Sequence, residues 1–251
     1  MAFGSANLDG IKKSIGLLEQ DLNNCVGKEY RIFKAFTSNK IIELLKERHD
    51  YIVPHLSKVL FGLVNQGYEE VIIQPLHIMR TNDIEYIEEL VWEYKYSMNR
   101  IVICNTLFSS EEEILIKESD EIANIICDDS DENDILLVGH GSKKGTNKIY
   151  DIIKESVKKI SNKKVYSATL EGEKNLDLII EEILKDGTKN LTLKPLFIIP
   201  GKHVINDISI GDRSLVNMLR EKNINVTINE DSLLQYKNIR KLYIKNIKNV
   251  I

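Results

Sequence analysis

The stretch Asp134-Ile-Leu-Leu-Val-Gly-His-Gly-Ser142 decides the fold. Ile135 to Val138 form a short continuous apolar run, the pattern of a parallel strand covered on both faces. The run stops at Gly139-His140-Gly141. Two glycines there let the backbone turn sharply and lie close to a ligand, while holding one imidazole at the C-terminal end of the strand. Ligands of open α/β sheets bind beyond that end. Ile149, Ile152, Ile153, Val157 and Ile160 follow at helical spacing, so His140 stands at a strand–loop–helix junction. Read alone, the stretch suits a tight turn with an exposed histidine equally well.

Working outward, the second half alternates strands near 135–139, 164–168, 190–197 and 224–228 with helices near 146–160, 174–186, 212–222 and 236–248. Such alternation means βα units and mostly parallel sheets. The first half opens on a helical stripe, Leu8, Ile11, Ile15, Leu18 and Leu22. Tyr30–Phe36 reads as a strand, and Thr37 or Ser38 as the cap of the next helix. Pro54 opens a further helix that ends at Gly67. Strands at Val71–Gln74 and Ile101–Cys104 flank a helix bearing Ile84, Ile87, Leu90, Val91 and Tyr94. Ser110-Glu-Glu-Glu113 has capping-box spacing, and the acidic stretch Asp128–Asp134 reads as a surface connection and domain boundary.

A repeat lies within this alternation. Gly67-x-x-x-Val71-x-Ile73-x-Pro75-Leu76-x-Ile78 matches Gly187-x-x-x-Leu191-x-Leu193-x-Pro195-Leu196-x-Ile198 without a gap, and Phe3-Gly4-Ser5 resembles His140-Gly141-Ser142. Two similar α/β halves follow, residues 1–108 and 109–251, with the last helix able to pack back on the first half. No strand precedes Phe3-Gly-Ser as Ile135–Val138 precedes His140-Gly-Ser. An unfilled central strand exposes apolar surface and unpaired backbone groups, so a version with about six to eight more apolar residues at the start is expected to be more stable.

The totals narrow the function classes. The 251 residues carry 43% hydrophobic content and a net charge of −4, from 34 Lys+Arg against 38 Asp+Glu. Interspersed charge argues against a nucleic-acid binder, and no apolar run reaches the length of a membrane span. Cys25, Cys104 and Cys127 lack metal-type spacing and fit buried thiols in a reducing, cytoplasmic setting.

Three candidate ligands end three strands of the second half: His140, Glu171 in Thr169-Leu-Glu-Gly172, and His203 in Pro200-Gly-Lys-His-Val-Ile-Asn-Asp207. Two imidazoles and a carboxylate suit a divalent first-row metal with open positions. Each also has a plainer reading. Glu171 fits a helix-start carboxylate and competes with Glu173, and His203 fits a loop histidine with Asn206 and Asp207 as caps. In the first half His77 ends the strand that corresponds to the one before His203, with Glu85 on the next helix. A histidine packed against backbone groups is the other reading of His77. His49 and His55 read as surface residues, and Trp92, Tyr86 and Tyr94 as helix packing. Arg80, Lys143, Lys144 and Lys202 fit either a binding-site mouth for an acidic ligand or ordinary solvated charge.

Gly139-His-Gly-Ser142, Thr169-Leu-Glu-Gly172, Pro75-Leu-His-Ile78, His203-Val-Ile-Asn-Asp207 and Ala35-Phe-Thr-Ser38 together resemble the anaerobic sirohydrochlorin cobalt chelatases, the class II tetrapyrrole chelatases of cobalamin synthesis. The likeness runs in order over essentially the whole chain, and the His203 motif is its most specific part. It implies two Rossmann-like halves with a tetrapyrrole cleft between them. It implies that His140, Glu171 and His203 bind the metal, with His140 as base and Glu171 as its catalytic partner. His77, Glu85 and Lys202 would line the tetrapyrrole site. Co²⁺ would be the substrate metal and sirohydrochlorin the partner, with no organic cofactor, nucleic acid or membrane involved; a homo-oligomer is allowed. Met79-Arg-Thr-Asn-Asp-Ile-Glu85 and Pro200-Gly-Lys202 depart from the family pattern and bear on how the substrate is gripped. Iron or nickel insertion, a non-catalytic tetrapyrrole or metal carrier, and a metal-assisted hydrolase are the alternatives; the last lacks a nucleophile elbow or phosphate loop.

Overall fold

Ile135, Leu136, Leu137 and Val138 are all buried, at 2% exposure or less, because β3 (Asp134–Gly141) is an inner strand of a four-stranded parallel sheet. The computed structural model describes residues 1–127, 132–141, 147–171, 176–199, 208–209, 211 and 214–251. It divides into two compact units: unit 1 is Met1–Glu112 with Lys237–Ile251, and unit 2 is Glu113–Tyr236. The chain changes unit between Glu112 and Glu113, at the start of a helix.

In unit 2, β4 (Val165–Glu171), β5 (Asn190–Leu196) and β6 (Asn225–Ile228) join β3 in the order β4-β3-β5-β6, every pair parallel. The helices are α6 (Glu112–Ile126), α7 (Lys148–Ile160), α8 (Leu176–Lys185) and α9 (Leu215–Glu221). Strand alternation sends Leu136, Val138, Leu191 and Leu193 to the face covered by Ile180 and Ile183 of α8 and by Leu215, Val216 and Leu219 of α9. Each such side chain contributes about 2 kcal/mol of apolar burial. The opposite face is covered by α7, and by α6, whose last carbonyl, on Ile126, accepts from the buried Lys194 Nζ at 2.6 Å. Burial lowers the Lys194 pKa, and the helix C-terminus offers that cation the negative end of its dipole. At the N-terminal edge Thr188 Oγ1 donates to Asp134 Oδ2 at 2.6 Å, and the Tyr166 hydroxyl donates to Asp186 Oδ2 at 3.0 Å, tying β3, β4 and the turn before β5 together.

Unit 1 contains α1 (Leu8–Lys13), α2 (Ile15–Val26), α3 (Asn39–His49), α4 (Leu56–Asn65) and α5 (Asn82–Tyr94). Its parallel strands are β1 (Glu70–Ile73) and β2 (Arg100–Ile103). The helix α10 (Lys237–Lys248) belongs to this unit. Arg240 of α10, 7% exposed, meets Asp21 of α2 at 2.6 Å, and the Tyr243 hydroxyl donates to the His77 carbonyl at 3.1 Å.

Three expectations change here. The opening stripe is two helices, broken at Ser14, whose hydroxyl turns back to the Gly10 carbonyl. Tyr30–Phe36 is not a strand; among the described residues only Phe36 of this segment forms bridges, to Ala2 and to His55, and no strand runs beside residues 31–34. His55 is buried rather than on the surface: it is the N-cap of α4, its Nδ1 accepts from the Ser57 N–H, and its Nε2 lies 3.0 Å from the Thr37 carbonyl.

The Met1 amine is enclosed at the end of this sheet and donates to the Gln74 carbonyl at 2.9 Å, while the Met1 side chain lines a cavity. Burial lowers the pKa of this amine from 8.0 to about 6. The unfolded chain therefore binds more protons than the folded one between those values, and stability rises as pH climbs from about 6 to about 8. Denaturant midpoints across that window should show the rise, and acetylating the amine should remove it. An identical pH profile after acetylation would contradict this account.

Candidate metal and substrate site

The backbone at the end of β3 explains its two glycines. A Cβ on Gly139 would lie 2.0 Å from Tyr150 Cε1, so the Tyr150 ring of α7 packs directly on the strand. Gly141 has φ +77°, and a Cβ there would lie 1.9 Å from the Glu171 carbonyl oxygen. The Gly141 N–H donates to the Tyr150 hydroxyl at 3.4 Å, and burial raises the pKa of that phenol. His140 sits between two positions where only glycine fits, fixed by β4 on one side and α7 on the other. Its side chain is exposed, with the Phe197 ring edge-on at 6.4 Å.

β4 lies on one side of β3 and β5 on the other, so His140 stands at the C-terminal edge where the strand order reverses. That crevice is where parallel sheets place ligands. Glu171 is opposite Gly141 in the β3–β4 register and is exposed at the same edge. Among the described residues no hydrogen bond or ion pair joins His140 to Glu171, and no group of three His, Cys, Asp or Glu side chains is arranged to hold a metal. His203, Lys202, Lys143, Lys144, Glu173, Asn206 and Asp207 lie outside the described residues. Thr169, opposite Gly139, has a buried hydroxyl with no partner among the described residues.

In unit 1, His77 is held by a side chain rather than by backbone alone. Its Nε2 is 3.0 Å from Asp83 Oδ2, which also accepts from Thr37 Oγ1 at 3.4 Å. Its carbonyl accepts from the Leu107 N–H and the Tyr243 hydroxyl. Its Nδ1 is buried and has no partner among the described residues. Glu85 is exposed on α5. Arg80 is engaged by Glu88 in a two-pronged pair at 2.6 and 2.5 Å at the surface of unit 1. Trp92 is 68% exposed beneath the Lys95 ammonium and does not serve core packing.

Sequence reasoning missed Tyr150, Phe197 and Asp83. Tyr150 lies one residue off the isoleucine stripe and was legible as an aromatic beside Ile149 and Ile153. Phe197 occupies the place of His77 in the repeat, and Phe3 the place of His140, so the two halves exchange a histidine and a phenylalanine between strand ends. Asp83 had no signal beyond its helix-start position.

The family model for cobalt chelatase (CbiK) matches residues 1–251. The chain belongs to that family. Among curated relatives of this chelatase, the sirohydrochlorin cobaltochelatase of Salmonella typhimurium is 25% identical over 213 residues, covering 84% of this chain and 79% of the relative. The sirohydrochlorin cobaltochelatase CbiKC of Nitratidesulfovibrio vulgaris is 22% identical and covers 84% and 74%. The fold matches SirB from Bacillus subtilis with Fe³⁺, at TM-score 0.65, 18% identity and coverage of 99% and 92%. SirB from Bacillus subtilis subspecies spizizenii in complex with cobalt gives TM-score 0.61 at 15% identity, with coverage of 99% and 92%. The chelatase family thus carries the α/β architecture read from the alternation of strands and helices.

Proposed function

We propose that this chelatase inserts Co²⁺ into sirohydrochlorin, a step of cobalamin synthesis. The observation that carries the reading is the full-length family match together with His140, a solvent-facing imidazole fixed at the carboxyl edge of the central strand of unit 2. Insertion exchanges two pyrrolic protons for one divalent cation. It needs groups that hold the ion by only part of its coordination sphere and groups that take up the protons. Imidazole does both near neutral pH. His140 ligates the incoming ion and accepts the first proton as the ring nitrogens take over. Glu171, beside it on β4, offsets the cation's charge and relays the second proton. His203 completes the ligand set. His77, oriented by Asp83, and Glu85 and Lys202 contact the tetrapyrrole, with Lys202 pairing with a ring carboxylate.

Titrating the protein with Co²⁺ tests the ligand set without the tetrapyrrole. Replacing Glu171 by Gln or His203 by Ala should each weaken Co²⁺ binding about 10- to 100-fold, the range expected on losing an ordering or ligating group. Unchanged affinity in both variants would remove these residues from the metal site.

A further inference from the structure

Two buried hydroxyl groups of unit 2 have a proton and, among the described residues, no acceptor for it. Both lie beside Gly141. The Thr169 side chain is 2% exposed, and its Oγ1 makes no hydrogen bond to a described group. Tyr150 is 6% exposed; its hydroxyl accepts the Gly141 N–H at 3.4 Å, and its own proton goes to no described group. A Cβ on Gly141 would lie 2.7 Å from the Thr169 Cβ, so the threonine flanks the same glycine that the phenol binds. A hydroxyl withdrawn from water without an acceptor destabilises a fold. Two of them at the ligand-binding edge of a parallel sheet point to an acceptor that arrives when the site is at work.

Strand alternation identifies that acceptor. Gly139 and Gly141 turn toward α7, because a Cβ on Gly139 would meet the Tyr150 ring. The register sets Thr169 opposite Gly139 and Glu171 opposite Gly141, so Thr169, Glu171 and Tyr150 share the α7 face. Thr169 and Glu171 are two residues apart, about 6.6 Å along the strand, a gap that a glutamate side chain folded back along β4 closes. His140 leaves the sheet on the other face, with Val138 before it in that core and Phe197 edge-on to its ring. An imidazole and a carboxylate that start from opposite faces share one ion only if both turn over the edge. The Glu171 side chain is long and exposed, with rotamer freedom that an ion site has to restrict.

We propose that the Tyr150 and Thr169 hydroxyls are positioning groups for Glu171, donating to one oxygen of its carboxylate and turning the other toward the ion that His140 meets. The proposal rests on the reading of Glu171 as a metal ligand. A carboxylate oxygen has two lone pairs, enough for both donors. The donors are neutral, so the negative charge stays on the carboxylate, where the cation needs it. Ligating carboxylates are themselves held by hydrogen bonds of this kind. Tyr150 also ties the two ligands together, since its oxygen takes the N–H of the residue after His140 while its proton goes to the Glu171 side.

The test is a Co²⁺ titration of the full chain as Thr169→Val, Thr169→Ser, Tyr150→Phe and Glu171→Ala, and of Thr169→Val and Tyr150→Phe each combined with Glu171→Ala. Thr169→Val and Tyr150→Phe should each weaken Co²⁺ binding about 10-fold or more, the loss expected for a group that orients a ligand. Thr169→Ser should bind as the parent does. Thr169→Val should have a Tm no lower than the parent, because the hydroxyl that it removes is unpaired in the metal-free fold. In the Glu171→Ala background neither change should weaken binding further by more than about 2-fold, since the hydroxyls act through that carboxylate. Parent-like affinity in Thr169→Val and Tyr150→Phe beside weak binding by Glu171→Ala would overturn the proposal and leave Glu171 a ligand. Full further losses in the Glu171→Ala background would overturn it too, assigning the hydroxyls to another part of the site. Parent-like binding by Glu171→Ala itself would remove the ligand reading and the proposal together.

Discussion

Replacing His140 by Ala lowers cobalt insertion about 100- to 10,000-fold, the range expected when a group that moves protons in the reaction is removed. Stability changes little, because the imidazole is exposed and makes no hydrogen bond among the described residues. Tetrapyrrole binding, followed by absorbance or fluorescence quenching, should stay within a few-fold of the parent. The ladders of Gly139 and Gly141 to β4 and of Gly139 to β5 hold the backbone on either side, so the variant isolates the imidazole. Normal turnover in His140→Ala would remove it from the chemistry. Loss of tetrapyrrole binding with turnover otherwise normal per bound substrate would recast it as a substrate contact.

Replacing Gly139 by Ala destabilises unit 2 by about 3 kcal/mol, seen as a Tm lower by about 6–12 °C. The added methyl meets the buried Tyr150 ring at 2.0 Å, and neither the strand nor the packed ring has room to yield. Whatever folds should also insert cobalt poorly, because moving the Tyr150 ring off Gly139 shifts the end of β3 that carries His140. Pairing Gly139→Ala with Tyr150→Val should recover stability beyond the sum of the single effects, since the two changes share one contact. Additive losses in that cycle would show that the clash is not the cause.

The second half of the chain was legible because its strands are short, mostly buried stretches set between helical stripes: the continuous apolar run Ile135–Val138, and Val165–Ala168 and Leu191–Leu193, each interrupted by one small hydroxyl residue, Ser167 or Thr192. The fold class follows from the alternation of such runs with helices. The strand expected at Tyr30–Phe36 fails for a reason outside the segment itself. A strand exists by virtue of its neighbour, and the space beside residues 31–34 is a cavity. His55 misled because a histidine beside Pro54 gives no sign that both ring nitrogens are engaged, one by the start of α4 and one by the Thr37 carbonyl. Of the site, His140 and Glu171 were readable as strand-end residues, and the structure places them on adjacent strands at one sheet edge. The pairing of His77 with Asp83 was not readable, because a contact between a strand end and the next helix depends on how the intervening turn folds.

The most direct measurement is an anaerobic absorbance time course of sirohydrochlorin with limiting enzyme and Co²⁺, run beside Fe²⁺ and beside His140→Ala. The account predicts many turnovers with Co²⁺ above the non-enzymatic rate, faster than with Fe²⁺ and lost in the variant. A spectral change that stops at one equivalent of protein would contradict it, making the chain a carrier of the tetrapyrrole or its metal rather than a catalyst.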